Sequence, residues 1–148
     1  MRLWHKDLLD VLPREQLISQ WRECCAIAKT LSENKIPKHR LVSKVAQYDS
    51  LHFICYSSLV AYEMLKRGYK CNERNFKKYM DLWSTKIKRP RIFPDWHNER
   101  YLIQNYYNLQ EKYDCGIISE EEWKKVHNKC KNLIEEHSIG KDILEGWE

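Results

Sequence analysis

The stretch that decides the fold is residues 49–68, DSLHFICYSSLVAYEMLKRG. Leu51, Ile54, Cys55, Leu59, Tyr62 and Leu65 recur at the 3.6-residue period of a helix that buries one face. Asp49 or Ser50 starts this helix. Lys66 and Arg67 suit its last turn, where cations meet the negative end of the helix dipole, and Gly68 can take the left-handed conformation that ends it. Upstream, Pro13 stands at a helix start, where its fixed φ and missing N–H do no harm. Leu17, Trp21, Cys24 or Cys25, and Ala28 then carry helical spacing to about Thr30. A polar loop over residues 32–40 follows, around Pro37.

Downstream, the pattern predicts a shorter helix over residues 73–83 that packs Phe76, Tyr79, Met80 and Trp83. A loop over residues 86–94 leads to Asp95, which caps a helix reaching about Tyr113, with Gly116 beyond it. Ser119 and Glu122 form a capping-box pattern for a last helix that turns Trp123, Val126, Cys130 and Leu133 inward. The sequence has no convincing strand alternation, internal repeat or low-complexity tract. The expected fold is all-α: a single compact domain, residues 1–148, of about five or six helices with an extended N-terminal segment.

Composition agrees with this reading. A chain of 148 residues can bury roughly two thirds of its unfolded surface, and 43% hydrophobic content with a mean hydropathy of −0.75 describes a globular protein with a polar surface. No apolar run reaches the length of a membrane span, and Arg2, His5, Lys6, Asp7 and Asp10 interrupt any signal-peptide core. The expected location is the cytoplasm, with no membrane partner. Six cysteines form no C-x-x-C pair, so buried reduced thiols are expected rather than disulfides or a zinc site.

The net charge of +5 is modest but clustered: Lys35, Lys38, His39 and Arg40; Lys66 and Arg67; and Lys86, Lys88, Arg89 and Arg91. The last group lies in KIKRPRIFP, interleaved with Ile87, Ile92 and Phe93. Positive loops suit a phosphate backbone, while a solvated, lysine-bearing surface is the competing reading. The first 25 residues, MRLWHKDLLDVLPREQLISQWRECC, add a chemical pair. An α-amine titrates near ~8 against ~10.4 for lysine, so more of it is uncharged and nucleophilic at neutral pH. A glutamate within reach, such as Glu23, takes and returns protons as an amine–sugar adduct forms and collapses. Periodicity alone turns Glu23 away from Trp21 and toward solvent.

Three blocks, Met1-Arg2-Leu3-Trp4, Leu17-Ile18-Ser19-Gln20-Trp21-Arg22-Glu23 and Glu63-Met64-Leu65-Lys66-Arg67-Gly68-Tyr69, together resemble the pyrimidine-dimer DNA glycosylase/AP lyase family. The likeness covers residues 1–70 and thins over residues 71–148. It implies an all-α fold, no metal or organic cofactor, and a monomer acting on damaged double-stranded DNA. It also implies attack of the N-terminal amine on the deoxyribose C1′, loss of the base, an imine, and β-elimination. With bulky Arg2 following, the amine is that of Met1. Glu23 matches the family glutamate that assists proton transfer and stabilises the cationic intermediate, and Arg2 and Arg22 match arginines that hold phosphate.

Lys38, Arg40, Lys88, Arg89 and Arg91 are further candidate DNA contacts. Trp4, Trp96 and Tyr106-Tyr107 are either core residues or wedges that help extrude a nucleotide. Gln16 and Ala26 stand where the family has a histidine and a basic residue, with His5 and His39 as candidate substitutes. Those two departures motivate an alternative: a helical nucleic-acid-binding protein with the same fold and no chemistry.

Overall fold

A computed structural model describes residues 2–33, 38–71 and 91–137. They carry five α-helices: α1 (Arg14–Ser32), α2 (Arg40–Ala46), α3 (Ser50–Lys66), α4 (Glu99–Asp114) and α5 (Glu120–His137). A single 3-10 turn, Lys6–Leu8, precedes them, and no strand occurs among the described residues. The all-α expectation therefore holds. The helix expected over residues 73–83, and residues 86–90 of the basic loop, lie outside the described residues.

Local sequence explains most helix ends. The Asp49 carboxylate accepts the Leu51 N–H at 2.9 Å and opens α3. Gly68, at φ +80°, closes it, with the Tyr69 N–H donating to the Met64 carbonyl at 2.9 Å. Gly116, at φ +79°, ends α4 in the same way. The capping box of α5 forms: Ser119 Oγ accepts the Glu122 N–H at 3.2 Å and Glu122 Oε1 accepts the Ser119 N–H at 3.3 Å. Glu122 Oε2 accepts the Arg14 N–H at 2.9 Å, so the start of α5 also caps the start of α1.

Four expectations need correction. Part of the polar loop over residues 32–40 belongs to helices, since α1 runs to Ser32 and α2 begins at Arg40. His39 Nδ1 caps α2 by accepting the Leu41 N–H, and Val42 and Val45 are its buried residues, too few to display a period. The cap of α4 is Asn98 rather than Asp95: its Oδ1 accepts the Tyr101 N–H at 2.9 Å. Residues 92–97 instead form a turn that drives Phe93 into the core at φ +44°, a conformation that strains a bulky side chain.

The buried face of α3 is also rotated from the expected one. Leu59, Tyr62 and Leu65 are 39%, 66% and 58% exposed, while Tyr56, Val60, Glu63 and Met64 face inward. Phe53, Ile54, Cys55 and Tyr56 are consecutive and all buried, so the apolar pattern fits two faces and tertiary packing selects between them. Glu63 is tolerated inside because Arg67 Nε donates to its Oε1 at 2.9 Å. The same guanidinium donates to the carbonyls of Leu12 at 2.7 Å and Asp10 at 3.2 Å, so Arg67 serves the fold rather than a basic surface.

The cysteines differ among themselves. Cys24, Cys55 and Cys130 are buried, Cys25 and Cys71 are partly buried, Cys115 is exposed, and none of the six is in a disulfide. In α5, Val126, Cys130 and Ile134 are fully buried, whereas Trp123 and Leu133 pack at the edge of the core. The helices associate chiefly as two pairs, α1 with α3 and α4 with α5, around one apolar cluster.

Candidate active site

Residues 2–5 are extended and have no strand partner, so their buried backbone groups need other partners. Side chains supply them. Gln20 of α1 accepts the Trp4 N–H on Oε1 at 2.7 Å and donates from Nε2 to the Arg2 carbonyl at 3.0 Å. The Tyr56 hydroxyl of α3 donates to the Trp4 carbonyl at 2.5 Å, and the Tyr101 hydroxyl of α4 donates to the Leu3 carbonyl at 2.6 Å. Asn105 Oδ1 accepts the His5 N–H at 2.8 Å, and His97 Nδ1 accepts the Lys6 N–H at 2.9 Å. Leu3 and Trp4 sink into the core between these bonds.

The aromatic groups around the segment are held in neutral form. The His5 and His97 rings stack with centroids 5.2 Å apart. Burial lowers His5 to about 4, against the opposing pull of Asp7, and lowers His97 to about 2, with His5 adding to the effect. A neutral His97 is required by the bond it makes, because its Nδ1 must accept from Lys6. Burial also raises the phenols of Tyr56 and Tyr101, which keeps both as O–H donors.

Glu23 lies one turn beyond Gln20 on α1 and is half-buried. Its Oε2 accepts the Arg2 N–H at 3.2 Å and the Gln20 Nε2–H at 3.3 Å. The extended segment thus ends against the carboxylate that periodicity alone had turned to solvent. The Arg2 guanidinium sits over the Trp4 ring, 4.7 Å from its centroid, and Arg22 is exposed beside Glu23 on the same helix. Of the nine expected site residues, Arg2, Arg22 and Glu23 are therefore neighbours in space or sequence.

The others are placed differently. Lys38 and Arg40 are exposed at the start of α2, and Arg91 is exposed ahead of the Phe93 turn. Met1, Lys88 and Arg89, like Lys35 and Lys86, lie outside the described residues. Trp4, Trp96 and Tyr106 are core residues, and of the aromatic wedge candidates only Tyr107, 43% exposed, faces solvent. His5 is buried, with Nδ1 accepting the Asp7 N–H at 3.1 Å, and His39 caps α2, so both candidate substitutes carry structural bonds. Gln16 is buried and Ala26 exposed.

Sequence reading missed Gln20, Tyr56, His97, Tyr101 and Asn105. For two of them a signal existed. Gln20 falls three residues after Leu17 and four before Cys24, and Asn105 falls three after Leu102 and four before Leu109, so each interrupts an inward stripe with a polar group. Among the described residues no cluster of three His, Cys, Asp or Glu side chains could hold a metal ion, and no helix is long and apolar enough to cross a membrane.

The family model for pyrimidine dimer DNA glycosylase matches residues 1–77, just over half of the chain. The chain belongs to this family of DNA-repair glycosylases. No curated protein and no solved structure matches it.

Proposed function

We propose that the protein is a DNA glycosylase with AP-lyase activity, acting on pyrimidine dimers or abasic sites through an imine on the Met1 α-amine. The observation that carries this reading is the bond from the Arg2 N–H to Glu23 Oε2 at 3.2 Å, which holds a carboxylate one residue from that amine along the chain. The amine nitrogen bonds to C1′ as the base departs with the electron pair of the glycosidic bond. Glu23 accepts a proton from the attacking nitrogen and returns it as the sugar ring opens to the imine. Its charge then offsets the cationic imine, which acidifies C2′ for β-elimination of the 3′ phosphate.

Arg2 and Arg22 hold the flanking phosphates in this scheme. Lys38, Arg40 and Arg91, with Lys88 and Arg89, extend the contact along the duplex and make binding salt-dependent. The half-buried setting of Glu23 strengthens its electrostatic effect relative to a fully solvated carboxylate.

The test is borohydride trapping on duplexes carrying an abasic site or a pyrimidine dimer. The expected result is a covalent protein–DNA adduct that disappears when the N-terminal amine is acetylated and forms at least about 100-fold more slowly in Glu23→Gln. Undiminished trapping by the acetylated protein would overturn the assignment of the nucleophile. Salt-dependent binding with no adduct would instead favour a DNA-binding protein that has lost the chemistry, the reading that Gln16 and Ala26 motivate.

A further inference from the structure

We infer that Gln20 is the positioning residue of this site, fixing the register between the terminal segment and the Glu23 carboxylate. The inference rests on the imine reading above and deepens it. Gln20 is 1% exposed, which makes any unmet hydrogen-bonding capacity of its amide costly.

Both ends of the amide are engaged, and its orientation follows from the partners. The Trp4 N–H can only donate, so Oε1 must be the atom facing it at 2.7 Å. Nε2 then faces two acceptors, the Arg2 carbonyl at 3.0 Å and Glu23 Oε2 at 3.3 Å, one for each of its hydrogens. The Tyr56 oxygen lies 3.1 Å from Oε1, but its single proton is committed to the closer Trp4 carbonyl.

A planar amide with both ends committed couples the two partners rigidly. Residues 2–4 cannot slide along α1 without breaking bonds at Gln20, and Glu23 cannot swing away without losing the Nε2 donor. Arg2 contributes a second donor from its backbone, which no side-chain substitution removes. Gln20 is therefore the side chain through which the placement of the segment and of the carboxylate are adjustable together. It acts through Glu23 and the terminal segment and has no required contact with DNA.

The test compares wild type, Gln20→Met and Gln20→Glu in single-turnover borohydride trapping over a range of abasic-duplex concentrations, with rates referred to the folded fraction of each protein, alongside equilibrium binding to the same duplex. Gln20→Met keeps the volume and removes both polar ends. Gln20→Glu keeps the acceptor for the Trp4 N–H but removes both donors and adds a like charge beside Glu23. Both variants should bind DNA within about twofold of wild type and trap about 10- to 100-fold more slowly, with the loss in the limiting rate rather than in the half-saturating duplex concentration. The loss should be larger in Gln20→Glu, which sets two carboxylates side by side.

A loss confined to the half-saturating duplex concentration, or one accounted for by the unfolded fraction of each variant, marks a purely structural glutamine and overturns the inference. Unchanged limiting rates overturn it as well. A wild-type protein that forms no adduct removes the underlying imine reading, whereas a trapping wild type with indifferent variants removes the role of Gln20 alone.

Discussion

The α4–α5 hairpin and the threaded terminal segment are secured in opposite ways. The hairpin is held by near-neighbour chemistry: an Asn98 cap, a Gly116 reversal, a Ser119–Glu122 capping box, and stripes such as Val126, Cys130 and Ile134 at helical spacing. Residues 2–6 have little local support. Apart from the Glu23 contact of Arg2, six of their backbone groups end on Gln20, Tyr56, Tyr101, Asn105 and His97, the last three more than ninety positions away in the chain. Apolar packing gives one region its stability, and a set of individually replaceable polar bonds gives the other its position. Stability and placement can therefore be perturbed separately.

The largest separation is expected from Tyr56→Phe and Tyr101→Phe. Each leaves a buried carbonyl, Trp4 or Leu3, without its donor, a loss of about 1–3 kcal/mol read from urea unfolding. Hydrogen exchange should accelerate at residues 3–6 while the hairpin amides keep their protection. A uniform acceleration across both regions would break the distinction.

Acid should act next, and on the same region. His5 and His97 are held neutral by burial, well below their ordinary value of 6.5, so the unfolded chain takes up their protons first as pH falls. Their contribution to stability is complete above about pH 6.5. It declines below that by up to about 1.4 kcal/mol per pH unit for each histidine, until the folded-state values are passed, near 4 for His5. Thermal midpoints measured from pH 7.5 to 5 should fall. A flat profile would contradict the burial of the pair.

The converse perturbation is Ser119→Ala, which removes the cap of α5 at a cost of about 1 kcal/mol. The midpoint should drop by a few degrees while the rate of adduct trapping stays at the wild-type value. The smallest effect is expected from Arg22→Ala. Arg22 is exposed, and in the proposed role of phosphate contact its loss should reduce the slope of log binding constant against log salt by about 1 and leave stability unaltered.

The same contrast explains what the sequence made legible. Caps, glycine stops and the α1 and α5 stripes are local, so their residues announced them: Asp49, Gly68, Gly116, and Ser119 with Glu122 behave as their spacing predicts. The α3 face failed because consecutive apolar residues, Phe53 to Tyr56, satisfy two phases at once, and the choice between them is made by α1 and the terminal segment. The Asn98 start was hidden by an equally plausible cap at Asp95. At the site, resemblance brought Glu23 and Arg2 forward, but the residues that hold them there are remote in sequence. No period or motif ties His5 to Asn105, or Leu3 to Tyr101.

The reach of those bonds has a consequence for biosynthesis. The His5 N–H meets a partner 100 positions later, and the Leu3 carbonyl one 98 positions later. At roughly 5–20 residues per second, a ribosome completes Tyr101 and Asn105 about 5–20 seconds after residues 3–5 have been polymerised. Until then Leu3 and Trp4 have only part of their eventual enclosure. The segment at the centre of the site is therefore made early and secured late, and contacts of such long sequence separation are the slow-forming kind.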